Sequence, residues 1–175
     1  MSCTIDSGYT LGCRDNVGGI QLAYIGNFST DQSYTLGTAS VTSATDVIVG
    51  VTNSTSYYTF FQEVEVGEFN QEGQFSTENG TVFFVQTLTL MMHKNDADLR
   101  SKLLLLSQGH LSIIVKDQRG AHWLLGFNNG CRVVTGSQNT GKAFGDMNGV
   151  TITFEGREPA PAYFIEDITQ FTIAD

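Results

Sequence analysis

Apolar and polar residues alternate along most of this chain with the two-residue period that is typical of β-strands. Strands are expected at residues 20–28, 46–51 and 57–93 in the first half of the chain. In the second half, short apolar runs alternate with turns rich in Gly and Asn, at residues 111–116, 121–127, 131–135, 149–155, 162–165 and 168–173. This spacing predicts a mainly β protein.

Residues 57–93 predict one long β-hairpin. Glu63, Val64, Glu65 and Val66 alternate, so a strand here would place both glutamates on one face and both valines towards the core. Polar residues 70–80 are expected to form the turn, and the second strand, 81–93, has two largely uncharged faces. A hairpin of this length, with two faces that are largely uncharged, does not suit the edge of a small monomer. It is therefore expected to pair with further strands.

The only strong helical pattern covers residues 96–108. Leu99, Leu103 and Leu106 recur at helical spacing and predict the core-facing side of the helix, with Leu104 and Leu105 widening that side. Asn95 or Asp96 can cap its N-terminus, and Gly109 suits its C-terminal end. The expected architecture is therefore a β-sandwich or partly open barrel with one α-helix. Residues 1–19 are expected to be an N-terminal arm, and residues 20–175 a single domain.

Charge is distributed unevenly along the 175 residues, whose formal net charge is −9. From Asp15 to His93 there are eight acidic residues and no Lys or Arg, whereas from Lys94 onwards eight basic and nine acidic residues nearly cancel. Adhesion to nucleic acid is disfavoured because it needs a basic surface. No secretory signal or membrane-spanning run is visible, so a soluble protein made in a cytoplasm is expected.

Cysteine and histidine do not form a recognisable metal motif. Cys3, Cys13 and Cys131 lack zinc-type spacing, and three reduced cysteines are the simplest interpretation. Arg132 could lower the pKa of the neighbouring Cys131 thiol and make it reactive, although a small apolar strand residue is the more economical interpretation. His93 and His110 could meet at a metal only through an accident of folding, and His122 has no ligand motif around it either.

Two other patterns resemble catalytic motifs only in part. Residues 136–142 contain a fragment of a phosphate-binding loop, but Ala143 follows Lys142 where the motif needs Ser or Thr. Glu63 and Glu65 could imitate the paired carboxylates of a glycosidase. The further glutamates that follow make a broad acidic face the simpler interpretation. No arrangement of candidate catalytic residues therefore supports an enzyme, and no cofactor is expected.

The order of elements resembles the core of tail tube subunits from long-tailed phages and of their relatives in contractile injection systems. The order is an N-terminal arm, a long hairpin, one helix and then short strands, and the resemblance is best over residues 57–165. Residues 145–156, GDMNGVTITFEG, are similar to a Gly-rich turn and strand found near the C-terminus of such proteins, and Glu158-Pro159-Ala160-Pro161-Ala162 follow as in several of them.

This resemblance implies a structural protein of the virion tail, made in the host cytoplasm. Such subunits form hexameric rings that stack into a tube, and their hairpins build an inner β-barrel that conducts DNA without binding it specifically. The partners would be further copies of the chain and other tail proteins, with no membrane. The arm and residues 29–56 would contact the next ring. The acidic residues that would line the lumen are Glu63, Glu65, Glu68, Glu72 and Glu78.

Other functions stay open at this point. A carbohydrate-binding or adhesin-like β-sandwich could use aromatic side chains for stacking, namely Tyr57, Tyr58, Trp123 and Phe127. Tail terminators and secretion-tube subunits share the ring architecture. An enzyme ranks third.

Overall fold

The computed structural model describes residues 8–9, 14, 16–39 and 46–174, and it is mainly β with one α-helix, as predicted. The helix is α1 (Ala97–Gln108), and a 3-10 turn spans Ile168–Gln170. The strands are β1 (Ile20–Asn27), β2 (Ser33–Gly37), β3 (Val47–Thr52), β4 (Ser56–Phe61), β5 (Glu68–Ser76), β6 (Thr81–His93), β7 (Leu111–Asp117), β8 (His122–Leu125), β9 (Cys131–Asn139), β10 (Gly149–Glu158), β11 (Tyr163–Ile165) and β12 (Thr172–Ala174).

The twelve strands of the described residues belong to one open sheet with the order β2-β3-β11-β8-β7-β9-β10-β6-β5. β1 joins β4 to β7, and β12 pairs with β4. The link between β7 and β9 is a single pair, Leu111 with Cys131. The sheet therefore has two parts. We call β5-β6-β10-β9 the four-stranded layer and the remaining strands the eight-stranded layer.

The main core lies between these two layers. Ala23, Ile113 and Val115 project from the eight-stranded layer towards Leu88 and Phe154 of the four-stranded layer, and all five are completely buried. Burial of each large apolar side chain contributes roughly 1.5–3 kcal/mol. This packing fixes one face of β6 and β10 inwards and leaves the opposite face of the four-stranded layer outside.

Strand β7 is buried on both faces. Ile114 points away from the main core into a second cluster with Ile48, Leu124 and Tyr57. The hydroxyl groups of Tyr57 and Ser112 are 3.0 Å apart and form a hydrogen bond in this region. The continuous apolar run of β7 is explained by this two-sided burial, which an alternating pattern would not allow.

Helix α1 begins and ends close to the predicted bounds. The Asp96 side chain accepts a hydrogen bond from the backbone N–H of Leu99 at 2.8 Å and caps the helix. Leu106 is buried, and Leu103 packs against the main core. Leu99 is half-buried. The predicted widening of the apolar side is wrong, because Leu104 and Leu105 are exposed.

The long hairpin exists, but its first strand is not the predicted one. Residues 57–61 belong to β4, which pairs with β1 and β12, and the partner of β6 is β5, in the region expected to be the turn. The turn itself occupies residues 77–80. Gly80 adopts a φ of 62° there, a conformation that favours glycine.

Residues 62–67 leave the sheet instead of continuing a strand. Glu65 has a φ of 64°, which breaks the extended backbone that alternation requires. Val64 is 70% exposed, so its predicted place in the core is wrong. Gly67 packs so closely against Ile20 that a Cβ would lie 2.6 Å from that side chain. The close packing of Gly67 against Ile20 therefore determines where the chain turns.

Two further strands differ from expectation. β2 lies between the strands predicted at residues 20–28 and 46–51, and β9 continues to Asn139, past the predicted end at residue 135. β2 contains Ser33, Thr35 and Gly37, and the extension of β9 over residues 136–139 is Gly-Ser-Gln-Asn. In both, pairing with a neighbouring strand outweighs weak strand preference.

Candidate assembly edges and acidic face

Among the described strands, the four-stranded layer has an edge on each side that pairs with no further strand. β5 pairs with β6 alone, and beyond Cys131 β9 pairs with β10 alone within the described part of the chain. Each strand has nine residues. Because every adjacent pair in the layer is antiparallel, β5 and β9 run in opposite directions.

The β9 edge is partly protected against pairing with another chain by a bulge and by the nearby helix α1, whereas the β5 edge has neither protection. β5 contains no Lys or Pro, and β9 contains no Pro. Natural edge strands are commonly blocked by such residues, by a bulge or by a covering element. One irregularity lies in β9, between Thr135 and Val133, and leaves Val134 exposed. The β5 edge is regular over its whole length.

The outer face of the four-stranded layer is polar and rich in threonine. One row across the strands contains Glu68, Thr89, Thr153 and Thr135. The hydroxyl groups of Thr89 and Thr153 are 3.4 Å apart. β-Branched side chains suit a strand, and their hydroxyl groups keep this face wettable.

The predicted lumen residues fall into three places. Glu68 and Glu72 lie together on the outer face of β5, both exposed, and Glu78 lies in the hairpin turn. Glu63 and Glu65 lie in the segment 62–67, away from any strand. The prediction that Glu63 and Glu65 share a strand face is therefore wrong, and so is their pairing as catalytic carboxylates on a strand.

The outer face also holds charges that the sequence pattern did not single out. Glu155 lies opposite Arg132 on the neighbouring strand, and its Oε1 atom is 2.9 Å from Nε of Arg157. With Glu68 and Glu72, the face carries three acids and two bases. The alternation of Thr, Glu and Arg along β10 was the signal that could have identified this face.

The turn between β8 and β9 is held by two buried polar side chains. Gln86 accepts a hydrogen bond from the N–H of Gly126 at 3.0 Å. The Glu158 carboxylate accepts from the N–H groups of Asn128 and Asn129, at 3.1 and 2.7 Å. Only 2% of Glu158 is exposed, and these donors offset the cost of burying its charge. This turn sets the start of the β9 edge.

Cys131 is not a reactive thiol. It is buried at the start of β9, and burial, with the nearby Glu158 carboxylate, raises its pKa to about 12. The suggested lowering by Arg132 is wrong, because that guanidinium points to the opposite face of the layer. Cys3 and Cys13 lie outside the described residues.

The fragment that resembles a phosphate loop is occupied by a carboxylate of the chain itself. Asp146 accepts hydrogen bonds from the N–H groups of Ala143 and Lys142, at 2.7 and 2.8 Å. These two bonds lower the pKa of Asp146. The backbone donors that a phosphate would need are therefore already used.

The histidines are separate from one another. His93 is exposed at the end of β6, and His110 bonds to the carbonyl of Asn129 and packs on Phe28. Burial and the nearby Lys116 lower the pKa of His122. Among the described residues, no group of three His, Cys, Asp or Glu side chains could hold a metal ion.

The aromatic residues considered for carbohydrate stacking are dispersed. Tyr57 is buried, and the ring of Trp123 lies 3.7 Å from that of Phe164. Phe127 packs against Tyr163, and only Tyr58 is substantially exposed among the four. These four side chains do not form one exposed surface.

An apolar groove of about 1090 Å³ lies between α1 and the ends of β4 and β6. Leu99, Lys102 and Leu105 form its helix side, while Phe61 and Met92 lie on its strand side. Glu63 and His93 add polar groups to the rim. The groove was not predicted, because it depends on where the helix packs against the sheet.

None of the described helices has the length and apolar character needed to cross a bilayer. Comparison with protein-family models, with curated proteins and with solved structures finds no match to this chain.

Proposed function

We propose that this chain is the structural subunit of a tube, most similar in role to a phage tail tube subunit. The two unpaired edges of the four-stranded layer carry the proposal. A β9 edge of one copy beside a β5 edge of the next continues the antiparallel order of the layer, so the same contact can repeat from copy to copy. A repeated contact of this head-to-tail kind closes into a ring when the rotation between neighbouring copies adds up to one full turn.

The charges on the outer face support the same contact. Arg132 lies at the β9 edge, in the cross-strand row that ends at Asn70 on β5. Glu68 and Glu72 flank Asn70 on the same face. When β9 of one copy pairs with β5 of another in this register, Arg132 lies diagonally from both carboxylates, a favourable cross-strand arrangement.

Ring closure would turn the outer face into the wall of a channel. With the six copies that the resemblance implies, about 24 strands at a spacing of ~4.8 Å and a tilt of about 40° enclose a barrel roughly 48 Å across. That width accommodates a DNA duplex with space for side chains. A polar wall with a small excess of carboxylates lets DNA move without binding, because phosphates find few cations.

Light scattering and negative-stain microscopy of the purified chain test the proposal. We expect rings or tubes for the native sequence. Arg132→Glu should abolish them, because it sets three carboxylates against one another at the contact, and adding Glu68→Arg or Glu72→Arg should restore them. Arg119→Glu, in the exposed turn after β7, is the matched control and should assemble normally. A monodisperse monomer would reject the proposal and favour the β-sandwich binding module, and a dimer joined through two β5 edges would also reject it.

A further inference from the structure

The β5–β6 hairpin ends in an apolar tip that no described part of the chain covers. Phe75 and Val82 face each other across the two strands and are 71% and 56% exposed. Phe84 lies beside them, with its ring at 6.1 Å from that of Phe75 in an edge-to-face arrangement. These three residues share the core-facing side of the layer, but they lie beyond the part that the eight-stranded layer covers.

The groove beside α1 is a second uncovered apolar surface. Phe61 and Leu105 line it and are 78% and 70% exposed. Met91 and Met92, at the end of β6, form part of its wall. Methionine side chains can adapt their conformation to a bound group, so this surface is suited to receive an aromatic side chain.

The tip and the groove lie at opposite ends of the same strand. β6 begins at the tip with Thr81 and ends at the groove with His93, and its 13 residues span roughly 40 Å. In a closed barrel the strands run from one rim to the other. The tip and the groove therefore lie at opposite rims of the proposed ring.

We infer that the hairpin tip of one copy inserts into the α1 groove of a copy in the next ring, and that this contact stacks rings into a tube. The inference rests on the proposed function. It commits to a second copy as the occupant because translating one ring along its axis brings complementary surfaces together. Among the charged groups at the groove, Lys102 on the helix side complements Glu78 of the tip, whereas Glu63 on the opposite side has the same sign as Glu78.

Variants at the tip and in the groove test this contact. We expect the Phe75→Gln/Val82→Thr variant and the Leu105→Gln variant to reduce the fraction of protein in sedimentable tubes at least tenfold, while light scattering still detects rings. Leu104→Gln and Phe144→Gln alter exposed side chains outside both surfaces and serve as matched controls that should form tubes normally. All substituted side chains are exposed, so folding is retained.

A cysteine pair tests the contact directly. In a background of Cys3→Ser and Cys13→Ser, Val82→Cys combined with Leu105→Cys should form a disulfide between copies in tubes, whereas neither single variant should.

Tubes that form normally in both the tip and the groove variants would overturn the inference and leave the ring proposal intact. Loss of rings in those variants would also overturn it, since the residues would then act within a ring. Absence of rings for the native chain would instead reject the proposed function itself.

Discussion

The Oε1 atom of Gln86 lies 3.0 Å from the backbone nitrogen of Gly126 and accepts its hydrogen bond inside the core. This bond connects the centre of β6 to the turn that precedes β9. Gly126 cannot be replaced easily, because a Cβ there would lie 2.6 Å from the backbone of Gly130. The hairpin strand β6 and the edge strand β9 are thereby fixed relative to each other.

Gln86→Met should destabilise the fold by about 1–3 kcal/mol, because it keeps the side-chain volume but leaves the buried N–H of Gly126 without an acceptor. The free energy of unfolding from denaturant titration measures this effect. Gln74→Met, on the exposed face of the same hairpin, is the control and should change stability by less than about 0.5 kcal/mol. Equal effects of the two substitutions would show that the Gln86 bond contributes nothing.

Burial of Cys131 should make folding stability depend on pH in the alkaline range. Its pKa is raised from 9.0 to about 12, so the folded state holds the thiol proton more tightly than the unfolded state. The resulting stability is fully present below pH 9 and is lost as the pH rises towards 12. At pH 10 the loss amounts to about 1.4 kcal/mol.

Cys131→Ala removes this titration. Denaturant titrations at pH 8 and pH 10 should therefore show a smaller decrease in stability for the variant than for the native chain. The comparison uses the change with pH in each protein, so the cavity left by the missing sulfur cancels. Identical pH dependence in the two proteins would contradict the burial of this thiol.

Removing the cap of α1 should weaken the wall of the groove. Asp96→Ala deletes the acceptor for the N–H of Leu99 and should cost about 1 kcal/mol of stability. Asp98→Ala removes an acid from the same first turn without removing the cap, so its effect should be smaller. Thermal unfolding of the two variants side by side measures the difference. Equal effects would mean that the charge matters and the cap does not.

In the proposed tube, a lysine on the outer face of β10 should convert a non-binding channel into one that retains DNA. In assembled tubes, Glu155→Lys, which lies on an inner strand of the layer and not at the β5 or β9 edge, should bind a short DNA duplex at low ionic strength and release it as salt is added, because phosphate contacts are screened by salt. Co-sedimentation of labelled DNA with tubes measures the binding. Glu65→Lys makes the same charge change in the turn 62–67 and should bind less. Equal binding by the two variants would contradict a lumenal position for Glu155.

Local sequence pattern was enough to predict the class of the fold and its helix. Strand periodicity covers most of the chain, and Asp96 with the leucines after it predicts α1 because capping and one-sided burial act within a few residues. The run of β7 and the turns with Asn and Gly are likewise short-range signals. The concentration of acids before His93 can be read from the sequence without any structure.

Long-range packing decided which strands pair and which faces stay open. The alternation of Glu63, Val64 and Glu65 predicts a strand, but Gly67 must pack against Ile20 and the backbone turns at Glu65 instead. Residues 70–76 look like a turn, yet they form a strand, because the edge of the 13-residue β6 offers backbone partners over their whole length. Register, edges and grooves depend on contacts between residues far apart in the chain, and no local pattern encodes the partner. The open edges of β5 and β9 and the groove beside α1 therefore became visible only in the tertiary structure.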